Sequence, residues 1–413
     1  MPVARQILFR NAALMDATQC EIRPGHAVLI EGEFIREVSS SPLKSSAAEV
    51  IDLKGRTLMP GLIDAHVHAI AVTTDLHALA LMPPSLVTAK AQGILEGMLS
   101  RGFTTVRDAG GADWGLAEAV RRGHFKGPRL YISGLALAQT GGQGDFRGPE
   151  EPYLGCPVCR ATRSIARVVD GVDDVRKAVR EELRKGADQI KVMAAGGMVS
   201  RVPIDRAHYS MDELSVMVEE ARAANTYVMA HAYETNAVRR CIEAGIRSIE
   251  HGNLIDAETA ELMVEKDTFV VPTMTVYEGY HKHGKELGFE PWVVSKFKEL
   301  LEASLGGIET AKRAGVKIGH GSDLEGLLHD YQSRELLLKS QVMTPHEIIA
   351  SATTTNAELL RMEGKLGVIK ENALADLLVV DGNPLKDLDV LQHQGRYLPL
   401  IMKGGELYKN ELK

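Results

Sequence analysis

His66 and His68 close the apolar run Met59–His68 with a single residue between them. On a β-strand, side chains at i and i+2 share a face, so the two imidazoles can be offered to one metal ion. Taken alone the pair is weak, because such spacing also arises by chance on exposed strands. Four more residues strengthen it. Lys191 lies inside another β-rich run, and His231, His251 and Asp323 each end one. A lone strand-end histidine is more often a hydrogen-bonded structural residue than a ligand. Burying all of these groups without partners would cost roughly 1–3 kcal/mol for each, whereas a metal centre satisfies them together. Lys191 is the exception, since an ammonium has no lone pair and repels cations. By itself the sequence favours pairing it with a rim carboxylate. The alternative is a lysine of lowered pKa that reacts with CO2 to give an anionic carbamate able to bridge two metals.

These residues sit in a repeating pattern of elements. The runs at 61–66, 103–108, 129–134, 189–194, 227–231, 247–251, 269–273 and 316–323 are β-rich, and charged, helix-spaced segments separate them. Eight strands alternating with helices predict a (β/α)8 barrel of the TIM type, an α/β fold whose strand ends meet at one rim. The segments from Val172 and from Met211 show helical spacing behind Asp or Ser caps. The stretch from Leu137 to about Arg167 is Gly/Pro-rich and is expected to form a lid or pocket wall. Short β-runs also occur at both ends of the chain: Ala27–Val38 around Gly32, Ala375–Pro384 and Leu398–Leu407. They predict a small, discontinuous, β-sandwich-like domain from residues 1–58 and 364–413, with the barrel at 59–363.

Composition narrows the class. The 413 residues are 45% hydrophobic and 25% charged, enough for a large core and unlike a disordered chain. The net charge of −7 has both signs dispersed, which argues against a nucleic-acid partner. No apolar run is long enough to span a bilayer, so no membrane partner is expected. The four cysteines are too scattered for a disulfide framework. A cytoplasmic enzyme acting on a small molecule is the resulting expectation, compatible with a homo-oligomer.

Together, His66, His68, Lys191, His231, His251 and Asp323 resemble the ligand set of the amidohydrolase superfamily, in the form with a carboxylated lysine and two divalent ions. The resemblance spans nearly the whole chain. Within that superfamily the sequence is similar to the imidazolonepropionase-related group, which includes Xaa-Pro and Xaa-Arg/Lys dipeptidases and an ochratoxin-type amidase. It implies that His66, His68 and Asp323 hold the more buried ion, that His231 and His251 hold the outer one, and that N6-carboxylysine at Lys191 bridges them. Zinc is the first choice for a set so rich in histidine. Asp323 would carry the proton from the attacking water to the leaving amine.

Other residues carry less. Tyr233, two positions past His231, is placed to donate a hydrogen bond to substrate, with a packed aromatic as the plainer reading. Arg201 could clamp a carboxylate bidentately, though a solvated arginine explains it as well. Gln143 stands where members of the group commonly carry a histidine for the substrate carbonyl, so a neutral amide replaces a group able to carry charge. The Cys156 and Cys159 pair lacks the further ligands of a structural zinc site. His281 and His283 read as a solvated helix end or lid loop.

The expected reaction is hydrolysis of an amide in a dipeptide or N-acyl amino acid with a free C-terminal carboxylate, of the Xaa-Pro or carboxypeptidase kind. Xaa-Pro leads because the 198–208 loop offers only Asp205 to select a basic residue. A cyclic amidase of the imidazolonepropionase or dihydropyrimidinase type is the alternative, and Lys191 speaks against the first of these. A catalytically dead scaffold is the third reading, opposed by the retention of every ligand.

Overall fold

In the computed structural model, the described residues are 5–412 other than 20, 148–163, 199 and 201. Two units are distinguished: Met1–Asp64, Glu96–Thr105 and Leu336–Lys413 in the first, and Ala65–Leu95 and Val106–Glu335 in the second.

The first unit contains the sheet expected from the chain ends. Gln6–Asp16, Glu21–Glu31 and Phe34–Ser39 pair antiparallel in succession. The tight turn between the last two places Gly32 at φ 59°, a conformation that glycine adopts without a Cβ penalty. Leu377–Val380 then pairs antiparallel with Thr57–Pro60 and is followed by Leu400–Lys403 and Glu406–Asn410. Residues from both ends thus share one eight-stranded sheet. Phe9, Ile30, Leu58, Leu377 and Val379 are buried in its core.

The eight β-runs of the barrel are present. Ile190–Met193, Val228–Glu234, Ser248–Leu254, Phe269–Val271 and Lys317–Ile318 pair in parallel, each with the next. Leu62–Val67, Phe103–Asp108 and Arg129–Tyr131 form a further three-stranded sheet. Strands buried on both faces need continuous apolar character rather than alternation, which is how these runs read. The ring closes where the Ala65 N–H donates to the His320 carbonyl at 2.8 Å and the Asp323 N–H donates to the His66 carbonyl at 2.8 Å. That closure sets the last strand's acid beside the first strand's histidine.

Three local expectations are corrected. The third run is not one strand over 129–134: it ends at Tyr131, Gly134 takes a left-handed φ of 66°, and a second strand, Ala136–Ala138, meets the lysine strand through Leu137 and Val192. Small, fully buried alanines make the stretch around Leu137 part of the core rather than the start of a polar loop. The helix Val172–Arg184 begins at Gly171 with no side-chain cap, and Asp173 and Asp174 complement its dipole from the first turn. The helix Met211–Ala223 has the expected Ser210 cap, as a full capping box with Glu213. Among the described residues, no helix is long and apolar enough to cross a membrane.

Candidate metal centre

All six residues singled out by the sequence meet at one end of the barrel. His66 and His68 stand side by side, with ring centroids 5.5 Å apart. Each is fixed by its outer nitrogen. His66 Nδ1–H donates to Glu250 Oε2 at 2.6 Å, and His68 Nδ1–H donates to the Gly110 carbonyl at 3.0 Å. Their Nε2 atoms converge on Asp323 Oδ1, at 3.1 and 3.2 Å. The Asp108 carboxylate accepts the N–H groups of Ala69, Gly110 and Ala112, which holds the turn behind His68.

Parallel register brings up the second pair. Met193 is opposite His231, and Ala232 is opposite His251. His231 Nε2–H donates to the Gly196 carbonyl at 3.0 Å, and His251 Nδ1 bonds Thr273 Oγ1 at 2.7 Å. The remaining atoms, His231 Nδ1 and His251 Nε2, face one another at 2.8 Å. His66, His251 and Asp323 each place a ligand atom within 4.8 Å of the others. An outer hydrogen bond that fixes the tautomer and leaves an inner lone pair free is how metal-bound histidines are held. The donor set therefore fits divalent metal.

Backbone strain marks the same place. His251, Thr273 and Asp323 have φ of 77°, 45° and 55°, in the left-handed region. For residues other than glycine this costs about 1–3 kcal/mol each and is tolerated chiefly at functional sites.

Electrostatics divide the groups. Burial raises the Glu250 carboxyl, but the Arg107 guanidinium and His66 outweigh it and bring it down to about 2. Burial disfavours the His68 cation, yet the bond to Asp323 carries it up to about 9. Burial and the charge of Lys191 take His231 down to about 3, and burial with His231 takes His251 well below its ordinary value. Lys191 is 1% exposed, and burial lowers it to about 8. Glu250 and Asp323 act on it at longer range, but no carboxylate reaches ion-pair distance among the described residues. The rim ion pair considered for it is absent there.

The cavity above these residues has aromatic walls. Tyr233, Tyr277, Tyr280 and Phe297 line it, together with Gln143. Tyr233 stacks on the His251 ring at 4.6 Å and meets His231 edge-on at 5.0 Å. Gln143 packs against Gly197, where a Cβ would fall 2.7 Å from its amide. Arg201, Cys156 and Cys159 lie outside the described residues. His281 and His283 fall in the last turn of the helix Met274–His283, where His283 contacts Glu286 and Tyr331.

Sequence reasoning missed several residues. Arg107 is fully buried: its Nε donates to the Ala65 carbonyl at 2.6 Å and its guanidinium to Glu250 at 2.8 Å. Glu325, also on the cavity wall, accepts from the Tyr280 hydroxyl at 2.6 Å, and burial pushes it up to about 7. Its one sequence cue is its place two residues after a metal-type aspartate.

Comparison with known proteins places the chain among hydrolase-like relatives of the same fold. The ochratoxinase of Aspergillus niger is 33% identical over 97% of this chain and 83% of its own. A prolidase solved in complex with N-methylphosphonate-L-proline is 46% identical, with a TM-score of 0.95 over 98% of this chain and all of its own. A Xaa-Pro dipeptidase with methionine bound in its active site is 30% identical, with a TM-score of 0.87 over 98% of this chain and all of its own. The model of the amidohydrolase family matches residues 57–407. With the barrel, its rim of histidines and that match running through both, the chain belongs to the amidohydrolase family.

Proposed function

We propose that the protein is a binuclear metal-dependent dipeptidase that cleaves the amide before a C-terminal residue with a free carboxylate, Xaa-Pro being the leading substrate class. One observation carries this reading: four imidazole lone pairs and the Asp323 carboxylate converge beneath an aromatic cavity, each ring anchored by its far nitrogen. Similarity to a prolidase and to a Xaa-Pro dipeptidase supports the choice of substrate.

His66, His68 and Asp323 would hold one divalent ion and His231 and His251 the other, with Lys191 as N6-carboxylysine between them and zinc as the metal. When bound, such ions acidify water and polarise a scissile carbonyl. Asp323 accepts a proton from the attacking water and delivers it to the departing amine, which leaves poorly without one. Burial raises the Tyr233 phenol above its ordinary value, and its hydroxyl is the candidate donor to substrate. Gln143 donates a neutral amide N–H to the carbonyl oxygen. Arg201, ten positions after Lys191 in the sequence, is a candidate partner for the substrate carboxylate. The surrounding aromatic rings exclude bulk water and strengthen each of these bonds.

The test compares a Xaa-Pro dipeptide with its C-terminal amide on the metal-loaded enzyme. A charge-assisted bond contributes roughly 1.5–3 kcal/mol, so amidation should lower kcat/KM about tenfold to a hundredfold. Equal rates would remove the free-carboxylate requirement and favour a cyclic amide.

A further inference from the structure

We infer that Glu325 is the anionic partner of the substrate's α-ammonium group, so that dipeptides with a free amino terminus are selected over N-acyl amino acids. This rests on the dipeptidase reading above and adds to it a side chain for the other end of the substrate.

Glu325 is 8% exposed and lines the cavity that holds His66, His68 and Asp323. The Tyr280 hydroxyl donates to Oε2 at 2.6 Å and fixes the carboxylate plane. Its second oxygen, Oε1, has no hydrogen-bond partner among the described residues, and no lysine, arginine or histidine stands at ion-pair distance from either oxygen. Val276, Tyr280 and Phe297 line the same cavity. Beside these walls, a carboxylate with no base at ion-pair distance leaves Oε1 open to a cationic ligand. An ammonium also suits the adjoining aromatic faces.

Position decides which cation. In a dipeptide the ammonium nitrogen lies about 2.5 Å from the scissile carbonyl carbon, two bonds away. The Cα atoms of Asp323 and Glu325, two residues apart, lie within about 7 Å of one another. A carbonyl held beside Asp323 therefore has its own ammonium within reach of Glu325. A basic side chain on the departing residue extends from the opposite side of the amide. An N-acyl substrate would leave Oε1 unpaired against an apolar group, and this mismatch supplies the discrimination.

The experiment measures kcat/KM of metal-loaded wild type, Glu325→Gln and Glu325→Asp on Ala-Pro, N-acetyl-Ala-Pro and Ala-Arg. Binding of alaninamide, which has the ammonium and carbonyl but no second residue, is followed by calorimetry. The wild type should prefer Ala-Pro to its acetylated form by at least about tenfold, as one charge-assisted bond supports. Glu325→Gln should lose that preference, mainly through KM, and bind alaninamide about tenfold more weakly, while Glu325→Asp retains part of both. Metal content should be equal in all three. An unchanged preference and unchanged alaninamide affinity in Glu325→Gln would overturn the inference, as would a loss confined to Ala-Arg. If the wild type cleaves no dipeptide, the dipeptidase reading falls, and the alaninamide titration alone still decides the role of Glu325.

Discussion

At the scale of single residues, the candidate ligands depend on groups that hold them. Glu250 takes the His66 ring on one oxygen and the Arg107 guanidinium on the other, so its charge orients that ring and neutralises a buried cation together. Replacing Glu250 with Gln should weaken metal binding by about tenfold to a hundredfold, read by chelator competition; unchanged affinity would show that His66 needs no such support. Lys191→Ala should abolish most activity, and added short carboxylic acids should restore part of it by standing in for the carbamate. Full activity without rescue would eliminate the bridge. Gln143→His should change kcat by more than tenfold, about 1.4 kcal/mol at the transition state, with metal content unaltered; identical kinetics would remove Gln143 from contact with substrate. The six candidate positions were legible as one cluster because a strand's alternation and end are visible in sequence. Glu250 was not. Strict alternation sends Glu250 and His251 to opposite faces, whereas the left-handed backbone at His251 lets both approach His66. Glu325 and Tyr280 were hidden differently, since their contact joins residues 45 apart on separate elements.

At the scale of elements, the barrel's precision comes from register and close approach. Gly321 shows the tolerance, because a Cβ there would stand 2.4 Å from Val271 Cγ1 and 2.7 Å from His66 Cβ. Gly321→Ala should therefore cost about 1–3 kcal/mol in stability and displace His66, lowering metal occupancy as well as the denaturation midpoint. A variant with wild-type midpoint and metal content would show that the first strand yields freely. The alternation of β-runs with helical segments was sufficient to read the barrel and its helices. The break in the third strand was not visible, because Gly134 has a left-handed φ that no periodicity announces and alanines carry little strand character of their own. The cap of the Val172–Arg184 helix was misread because Asp173 and Asp174 serve the helix dipole from within the first turn rather than as caps.

At the scale of the molecule, the short β-runs at the two chain ends were enough to predict a shared sheet, since chain ends usually lie close together. The aromatic cavity wall was less accessible: Tyr277, Tyr280 and Phe297 come from two helices whose sequences look like ordinary amphipathic segments. Only the closure of the barrel assigns those rings to the end that carries the histidines. The most direct test of the account is a titration of metal-free enzyme with zinc while hydrolysis of Ala-Pro is followed. Two convergent ligand sets predict that activity rises until two equivalents per chain are bound and then reaches a plateau. A plateau at one equivalent, or full hydrolysis without added metal, would contradict the binuclear centre on which the proposed chemistry stands.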